Sequence, residues 1–437
     1  MIDCPPPGEA VTASSERTEP PVREVTLKQG MAAFHAFTRL DAAAIALLMV
    51  LETAFITPVV RGVIPLQFFS DYQPHIAFAW KLDITHRLQT PDFLYELLVV
   101  IAHDLVRTVG YDVDALIVTV VAYVALAIVV YAFIRRHLGT PRTYRATAGY
   151  AGLTLSLLLV NQVFLFDWTE RHLYLGYVAI TVYHNPTVAL LKPLAVLLFI
   201  GTVGVVEGGQ SSPSPGFVVW LGTLTVVSTL AKPSYVICLL PALCLLIGYR
   251  FLRRRPVAWG AFVLGIVAPA GLTLGWQFLF TYRTADSLGK GRSSIVFAPL
   301  AVYHLYSGAL LPKFILSILF PTAVYVLYFR RARQDMPLNL CWLAFGFGAF
   351  YSYFLAESGQ RMTNANFFWS GQITLFILFV VSTVFLLRSL DGFAGVWSAV
   401  RRPEPRVMLA TTAFGLHLLC GVLYYVIYLL TPGSPRW

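Results

Sequence analysis

The sequence predicts an all-α, polytopic integral membrane protein with about eleven transmembrane helices and interfacial helices in its first outer loop. Three observations predict it. Hydrophobic residues make up 57% of the chain and charged residues only 12%, where a soluble domain carries about 25% charge. The apolar residues recur in runs near the ~20 residues that a bilayer span needs. Between those runs the basic residues fall in short blocks, the distribution expected of cytoplasmic connections. Mean hydropathy is +0.69, too apolar for a large core to absorb, so apolar surface must face lipid. The net charge of +10 reports topology and contact with anionic head groups. No nucleic-acid partner is expected.

Residues 1–40 are rich in Pro, Ser, Thr and charge, and the first apolar run begins only near Ala42. This segment reads as a disordered cytoplasmic tail rather than a secretory signal. Residues 41–430 form a single transmembrane domain, and 431–437 a short outer tail. Spans are expected near Ala42–Val60, Ala115–Ile134, Ala146–Phe166, Thr187–Val206, Phe217–Leu230 and Tyr235–Tyr249. Five more follow near Val257–Phe280, Leu310–Phe329, Leu338–Leu355, Ser370–Leu387 and Val407–Leu430. The fifth and sixth are short and meet at Lys232-Pro233. Proline breaks a helix there, so the pair reads as a hairpin with its tip near the membrane face. Most of the 32 Lys and Arg lie in the tail and in the segments Arg135–Arg145, Arg250–Arg255, Arg330–Arg333 and Arg388–Arg406. That bias puts the N-terminus inside and the C-terminus outside.

The first outer loop, Pro65–Asp114, is long. Tyr72–Leu88 is expected to form an amphipathic interfacial helix, with Ile76, Phe78, Ala79 and Leu82 near one face. Phe93–Val109 is a second helical stretch, interrupted by Glu96, His103 and Asp104. It reads as interfacial, because a span there would invert every later loop. Cys238, Cys244, Cys341 and Cys420 lie in apolar runs and Cys4 in the tail; none has zinc or redox spacing, so neither a disulfide framework nor a metal site is inferred.

Ionisable groups inside a bilayer cost about 2.5–3.5 kcal/mol each at a helix centre, so they form a short set. Asp71, in Ser70-Asp71-Tyr72-Gln73-Pro74-His75, suits a general base or a metal ligand; it equally suits the N-cap of the helix that follows. Asp167-Trp168-Thr169-Glu170-Arg171-His172 places two carboxylates around an aromatic, or is a polar loop with a belt tryptophan. In Tyr183-His184-Asn185-Pro186-Thr187, Asn185 suits a cap and Pro186 a first helical turn. His184 beside them would face an outer cavity. Lys192, inside the same span, reads as a snorkelling lysine or a phosphate ligand. Lys232 at the hairpin tip is placed as a point charge for a lipid phosphate, or snorkels. Arg283, Lys290 and Arg292 lie in a Gly-rich loop. Glu357, Gln360, Arg361, Asn364 and Asn366 precede Phe367-Phe368-Trp369; such groups suit a lipid-linked anion, a sugar, or interface anchoring. Glu52 sits mid-span without a partner in sequence, and His417 reads as buried and satisfied. Together these residues gather on one membrane face, while the other carries mostly arginine.

This order of features resembles the C-type integral membrane glycosyltransferase superfamily (GT-C), whose members have many spans and a long first outer loop of interfacial helices. Phe69-Ser70-Asp71-Tyr72-Gln73-Pro74-His75 resembles the family's acidic motif near the start of that loop. Leu230-Ala231-Lys232-Pro233-Ser234-Tyr235 is similar to a Lys-containing hairpin that contacts the lipid-linked donor. Many members carry paired acids in the first loop, whereas Asp71 stands alone until Asp83, and no soluble C-terminal domain follows. The resemblance implies a hexosyl- or pentosyltransferase in a bacterial plasma membrane. It would move a sugar, with inversion, from a polyprenyl-phosphate carrier to an envelope glycan, lipid or protein acceptor outside the cytoplasm. Asp71 would deprotonate the acceptor; Lys232, Arg283, Lys290, Arg292 and Arg361 would hold the leaving phosphate; His75 and His184 would orient donor or acceptor. Glu170 and Asn185 complete the expected substrate-binding set. No cofactor is implied other than, at most, a divalent metal. A transporter or flippase of a lipid-linked saccharide is the alternative.

Overall fold

The computed structural model describes residues 37–67, 70–107, 110–164, 173, 176–207, 213–284, 294–401 and 403–432. Glu170, Lys290 and Arg292, Cys4 and nearly all of the N-terminal tail lie outside them. The described chain is helical apart from connections and one two-stranded antiparallel sheet, Ile295–Phe297 (β1) against Leu355–Glu357 (β2).

The helices follow the apolar runs. They are α1 Arg39–Val63, α2 Tyr72–Thr85, α3 Leu94–Val106, α4 Tyr111–Leu138, α5 Tyr144–Leu159, α6 Pro186–Glu207, α7 Pro215–Ala231 and α8 Val236–Leu252. Then come α9 Trp259–Arg283, α10 Leu310–Ser317, α11 Leu319–Leu327, α12 Met336–Phe354, α13 Phe368–Ser389, α14 Phe393–Arg401 and α15 Pro405–Leu430. By length and apolarity, six described helices can cross a membrane: α1, α4, α6, α9, α15 and the stretch Arg361–Ser389 that contains α13. The bent pair α10–α11 makes seven. This is a multi-pass membrane protein, but the measure falls short of the expected eleven. The reason is physical: α5 has 16 residues and α7 and α8 have 17 each, while α12 is diluted by Asn339, two glycines, Ser352 and tyrosines.

Breaks in the helices have local causes. Pro321 cannot donate to the carbonyl of Ser317 and its ring presses on it; the axis bends by 61° between α10 and α11. In α9 the same defect falls on Gly265, four residues before Pro269. There the helix widens into a π turn over Val263–Val267, and Thr225 Oγ1 donates to the freed Gly265 carbonyl at 2.9 Å. Pro233 ends α7 by forcing Lys232 into extended backbone, φ −170° and ψ 132°. The hairpin expectation needs one correction. α8 packs chiefly on α12 instead of folding back along α7, so the two arms diverge from Lys232-Pro233.

The span expected to reach Phe166 stops at Leu159, and Val160–Phe164 runs non-helical yet buried, beside the equally buried non-helical segment Tyr177–Asn185. Backbone at that depth must be satisfied from within the protein, and Asn161 does much of this. Its Oδ1 accepts the N–H groups of Gln162, Ile180 and Thr181 at 3.1, 3.1 and 3.2 Å, and its Nδ2 donates to the Thr181 carbonyl at 3.1 Å. His417 closes the knot, with Nδ1 2.6 Å from the Asn161 carbonyl; it is a buried, satisfied histidine. Asn161→Leu leaves several buried amides without acceptors. It is expected to cost about 2–3 kcal/mol, read as a lowered thermal midpoint of the detergent-solubilised chain.

Two ends of the bundle are chemically distinct. At one end Arg135 pairs with Asp41 at 3.1 Å, Arg388 pairs with Asp335, and Glu207 lies within electrostatic reach of Arg136, Arg250 and Arg388. The other end carries α2 and α3. These dock on the bundle through an aromatic-rich core of their own, in which Tyr72, Ile76 and Ala79 of α2 meet Val60, Tyr95 and Tyr123. The spacing of those three α2 residues is one helical face, and each large side chain so buried is worth about 1.5–3 kcal/mol. Helix α3 has 13 residues, about 20 Å, too short to cross a ~30 Å hydrocarbon layer.

Candidate functional site

At the end opposite the arginines, the start of α6 organises a connected set of polar side chains. Pro186 begins the helix, and the Asn185 side chain caps it by accepting the Val188 N–H at 2.9 Å, as an N-cap asparagine should. The Asn185 amide nitrogen then faces outward and donates to Asp71 Oδ2 at 2.5 Å. Asp71 occupies the N-cap position of α2, yet its side chain makes no capping bond there. It is anchored instead by its backbone N–H, which donates to the His184 carbonyl at 2.9 Å.

Lys232 reaches the same turn from the end of α7. Its Nζ donates to Thr187 Oγ1 at 2.9 Å, and Thr187 Oγ1 donates to Asn185 Oδ1 at 2.9 Å. The ammonium also lies 5.4 Å from the centre of the Trp369 ring, and the His184 ring lies 5.9 Å from the same tryptophan. His184 Nδ1 is 2.8 Å from the Tyr428 hydroxyl. Lys232 is 8% exposed, His184 7%, Asn185 2% and Thr187 0%. Lys232 is therefore a buried, hydrogen-bonded cation rather than a snorkelling one. Burial holds His184 below the usual histidine range, although Asp71 pulls the other way.

Asp71, His184, Asn185 and Lys232 thus converge from three segments. The other expected site residues stand apart. His75 is bound to Glu96 of α3, Nδ1 to Oε1 2.5 Å, next to the cluster but committed to tying α2 to α3. Arg361 is held by the buried carboxylate of Glu357 at 3.0 Å, which also accepts from Tyr282 at 3.1 Å and from Asn366; this knot joins β2 to α9. Arg283 is exposed at the end of α9 and has no place in the cluster. Lys192 is 1% exposed with Nζ 4.6 Å from the Phe376 ring centre, which excludes the snorkelling reading, and Glu52 is its electrostatic partner. Thr187 and Tyr428 were not expected in the site. Thr187 had a visible signal, two residues past a cap asparagine, whereas Tyr428 had none. Among the described residues no group of three or more His, Cys, Asp or Glu is placed to hold a metal ion.

The His75–Glu96 pair makes a pH prediction. Burial opposes charge on His75, but the contact with Glu96 outweighs it and raises His75 above its ordinary 6.5. Burial raises Glu96 above its ordinary 4.5, partly offset by His75. Both groups hold protons more tightly in the folded chain, so stability falls as pH rises. The histidine share is complete below 6.5 and is lost as pH climbs through its raised value; the glutamate share is lost from 4.5 upward. The thermal midpoint is expected to fall above pH 6.5, and to fall less steeply in His75→Gln.

The chain matches no protein-family model, no curated protein and no solved structure. What the cluster can do follows from its own groups. Among the described residues, Asp71 Oδ2 accepts one hydrogen bond and Oδ1 accepts none, leaving a carboxylate oxygen able to take a proton. The Lys232 ammonium uses one of its three N–H donors on Thr187, leaving two for an anion.

Proposed function

We propose that the chain is a membrane glycosyltransferase of the GT-C kind, with about eleven transmembrane helices. It moves a hexosyl or pentosyl unit from a polyprenyl-phosphate donor to an envelope glycan, lipid or protein acceptor on the non-cytoplasmic face of a bacterial plasma membrane. The N-terminus lies in the cytoplasm. The observation that carries this reading is the convergence of Asp71 and Lys232 on the first turn of α6. Glu207, among the arginines, closes the same helix about 30 Å away. A base and a cation lie near one another, on the membrane end that the basic blocks avoid.

Asp71 Oδ1 takes the proton of the acceptor hydroxyl. The acceptor oxygen attacks the anomeric carbon from the face opposite the phosphate, and the C1–O bond breaks with its electron pair on the leaving phosphate. Attack from the opposite face inverts the centre. The two unused N–H groups of Lys232 meet the charge that develops on that phosphate. His184 is fixed by Tyr428 beside the Lys232 ammonium and Trp369, where it orients the donor. A shallow groove along α7 and α9, lined by Gly222, Val226, Val227, Leu264 and Pro269, gives the lipid tail an apolar surface on the helix that ends in Lys232.

The transporter reading has one observation in its favour, the buried non-helical backbone at Val160–Phe164 and Tyr177–Asn185. Proteoliposomes loaded with a labelled polyprenyl-phosphate sugar separate the two. A transferase leaves label in a new glycosidic bond. Movement of intact labelled lipid between leaflets, with no new bond under any acceptor, would discard the transferase.

A further inference from the structure

We propose that Thr187 is a positioning residue that couples an anion held at Lys232 to the carboxylate of Asp71. The inference rests on the reading of Lys232 as the site of a lipid phosphate. It follows from the direction of three hydrogen bonds. An ammonium only donates, so Thr187 Oγ1 accepts from Lys232 at 2.9 Å. The threonine hydrogen is then free for Asn185 Oδ1, 2.9 Å away. A carboxylate only accepts, so the Asn185 amide must turn its NH2 to Asp71, where Nδ2 stands 2.5 Å from Oδ2. Both ends of the chain therefore demand the same amide orientation, and Val188 N–H on Oδ1 demands it a third time. Every donor points from the cation toward the anion.

The two middle members are fully buried, and a low dielectric strengthens and polarises such a chain. Lys232 and Asp71 thereby stabilise each other's charge without an ion pair. An anion arriving at Lys232 competes for the ammonium and weakens its pull on Thr187. Asp71 then loses part of the stabilisation that reaches it through the chain, so an anion at Lys232 and the charge on Asp71 oppose each other. The other titratable groups facing Asp71 are His184, His75 and Tyr72; none of them is a member of the chain. Thr187 is the member whose hydroxyl can be removed without losing the helix cap.

The test is a binding cycle on the full-length chain in neutral detergent, with farnesyl phosphate as probe and inorganic phosphate in a parallel titration. Lys232→Met is expected to weaken farnesyl phosphate by about tenfold or more. Asp71→Asn removes the charge that the probe opposes, and should tighten binding about threefold or more, the scale of coupling within one hydrogen-bond network. That tightening should persist in Thr187→Ser and shrink toward none in Thr187→Val. Equal tightening in all three backgrounds overturns the coupling and leaves the proposed function intact. Indifference of farnesyl phosphate to Lys232→Met, or equal affinity for the two probes, overturns the lipid-phosphate site and the proposed function with it.

Discussion

Asp71→Asn is expected to lower glycosyl transfer by about 10²–10⁴-fold, the usual contribution of a positioned general base, while donor binding survives. The substitution is well suited to the question. Asparagine keeps an oxygen for the Asn185 amide to donate to, and the backbone N–H of residue 71 still reaches the His184 carbonyl. The start of α2 keeps its capping geometry because the aspartate side chain does not cap it. What disappears is proton affinity at one oxygen. Initial rates with a labelled polyprenyl-phosphate sugar, beside direct measurement of donor affinity, separate chemistry from binding. A variant that turns over within tenfold of the parent would remove Asp71 from the base role. A variant that loses donor binding and turnover equally would make Asp71 part of the binding surface. Asp71→Glu is a useful companion, since it restores the carboxylate but moves it by one methylene; partial recovery is expected.

Much of this site was legible before any coordinates, for reasons that differ residue by residue. Asn185-Pro186 states where a helix starts, so the placement of Asn185 and Thr187 on a first turn follows from local chemistry alone. Lys232-Pro233 states where one ends. A helix overlaps each expected span position because apolar runs and prolines are local signals too, although only six described helices, or seven with the bent pair, are long and apolar enough to cross a membrane. Convergence is a tertiary property. Asp71 and Asn185 are 114 positions apart, and His184 and Tyr428 are 244 apart; no spacing rule links them. Asp71 also shows how a local rule misleads. Its position is that of a cap, and the side chain still turns away because a buried amide from α6 is a stronger partner than a solvated helix end. Arg361 had a local signal that went unread: Glu357 lies four residues before it, a spacing at which opposite charges meet on a helical turn, and the two pair at 3.0 Å, away from the cluster. The partner of His75 is Glu96, an acid visible in the sequence only as an interruption of an apolar stretch. The early end of α5 at Leu159 has no proline to announce it, and depends on what one asparagine side chain offers the backbone around it.

Glu52 and Lys192 lie within electrostatic reach of one another without a direct ion pair; removing either is expected to destabilise the chain by about 1–3 kcal/mol, and removing both to recover most of that loss. Glu52 lies in the middle of α1 and is 4% exposed; Lys192 lies in α6 and is 1% exposed. Each is the principal electrostatic partner of the other. A single ionisable group at such depth costs about 2.5–3.5 kcal/mol on insertion scales, and a pair that shares its charge avoids most of it. Glu52→Gln therefore strands an ammonium against the Phe376 ring, and Lys192→Met strands a carboxylate among tyrosines; each must lose its charge or drag water inward. Glu52→Gln with Lys192→Met leaves a neutral interior of nearly the same volume. Thermal midpoints of the four proteins in one detergent close the cycle. Additive losses in the double variant would show that the two residues do not act as a pair, and Glu52 would then need another cation. Recovery in the double variant has a second use. Lys192 stands on the same helix as Thr187, so a double variant that folds but transfers no sugar would place the buried charges in the working of the site. One that folds and transfers normally would confine them to the stability of the bundle.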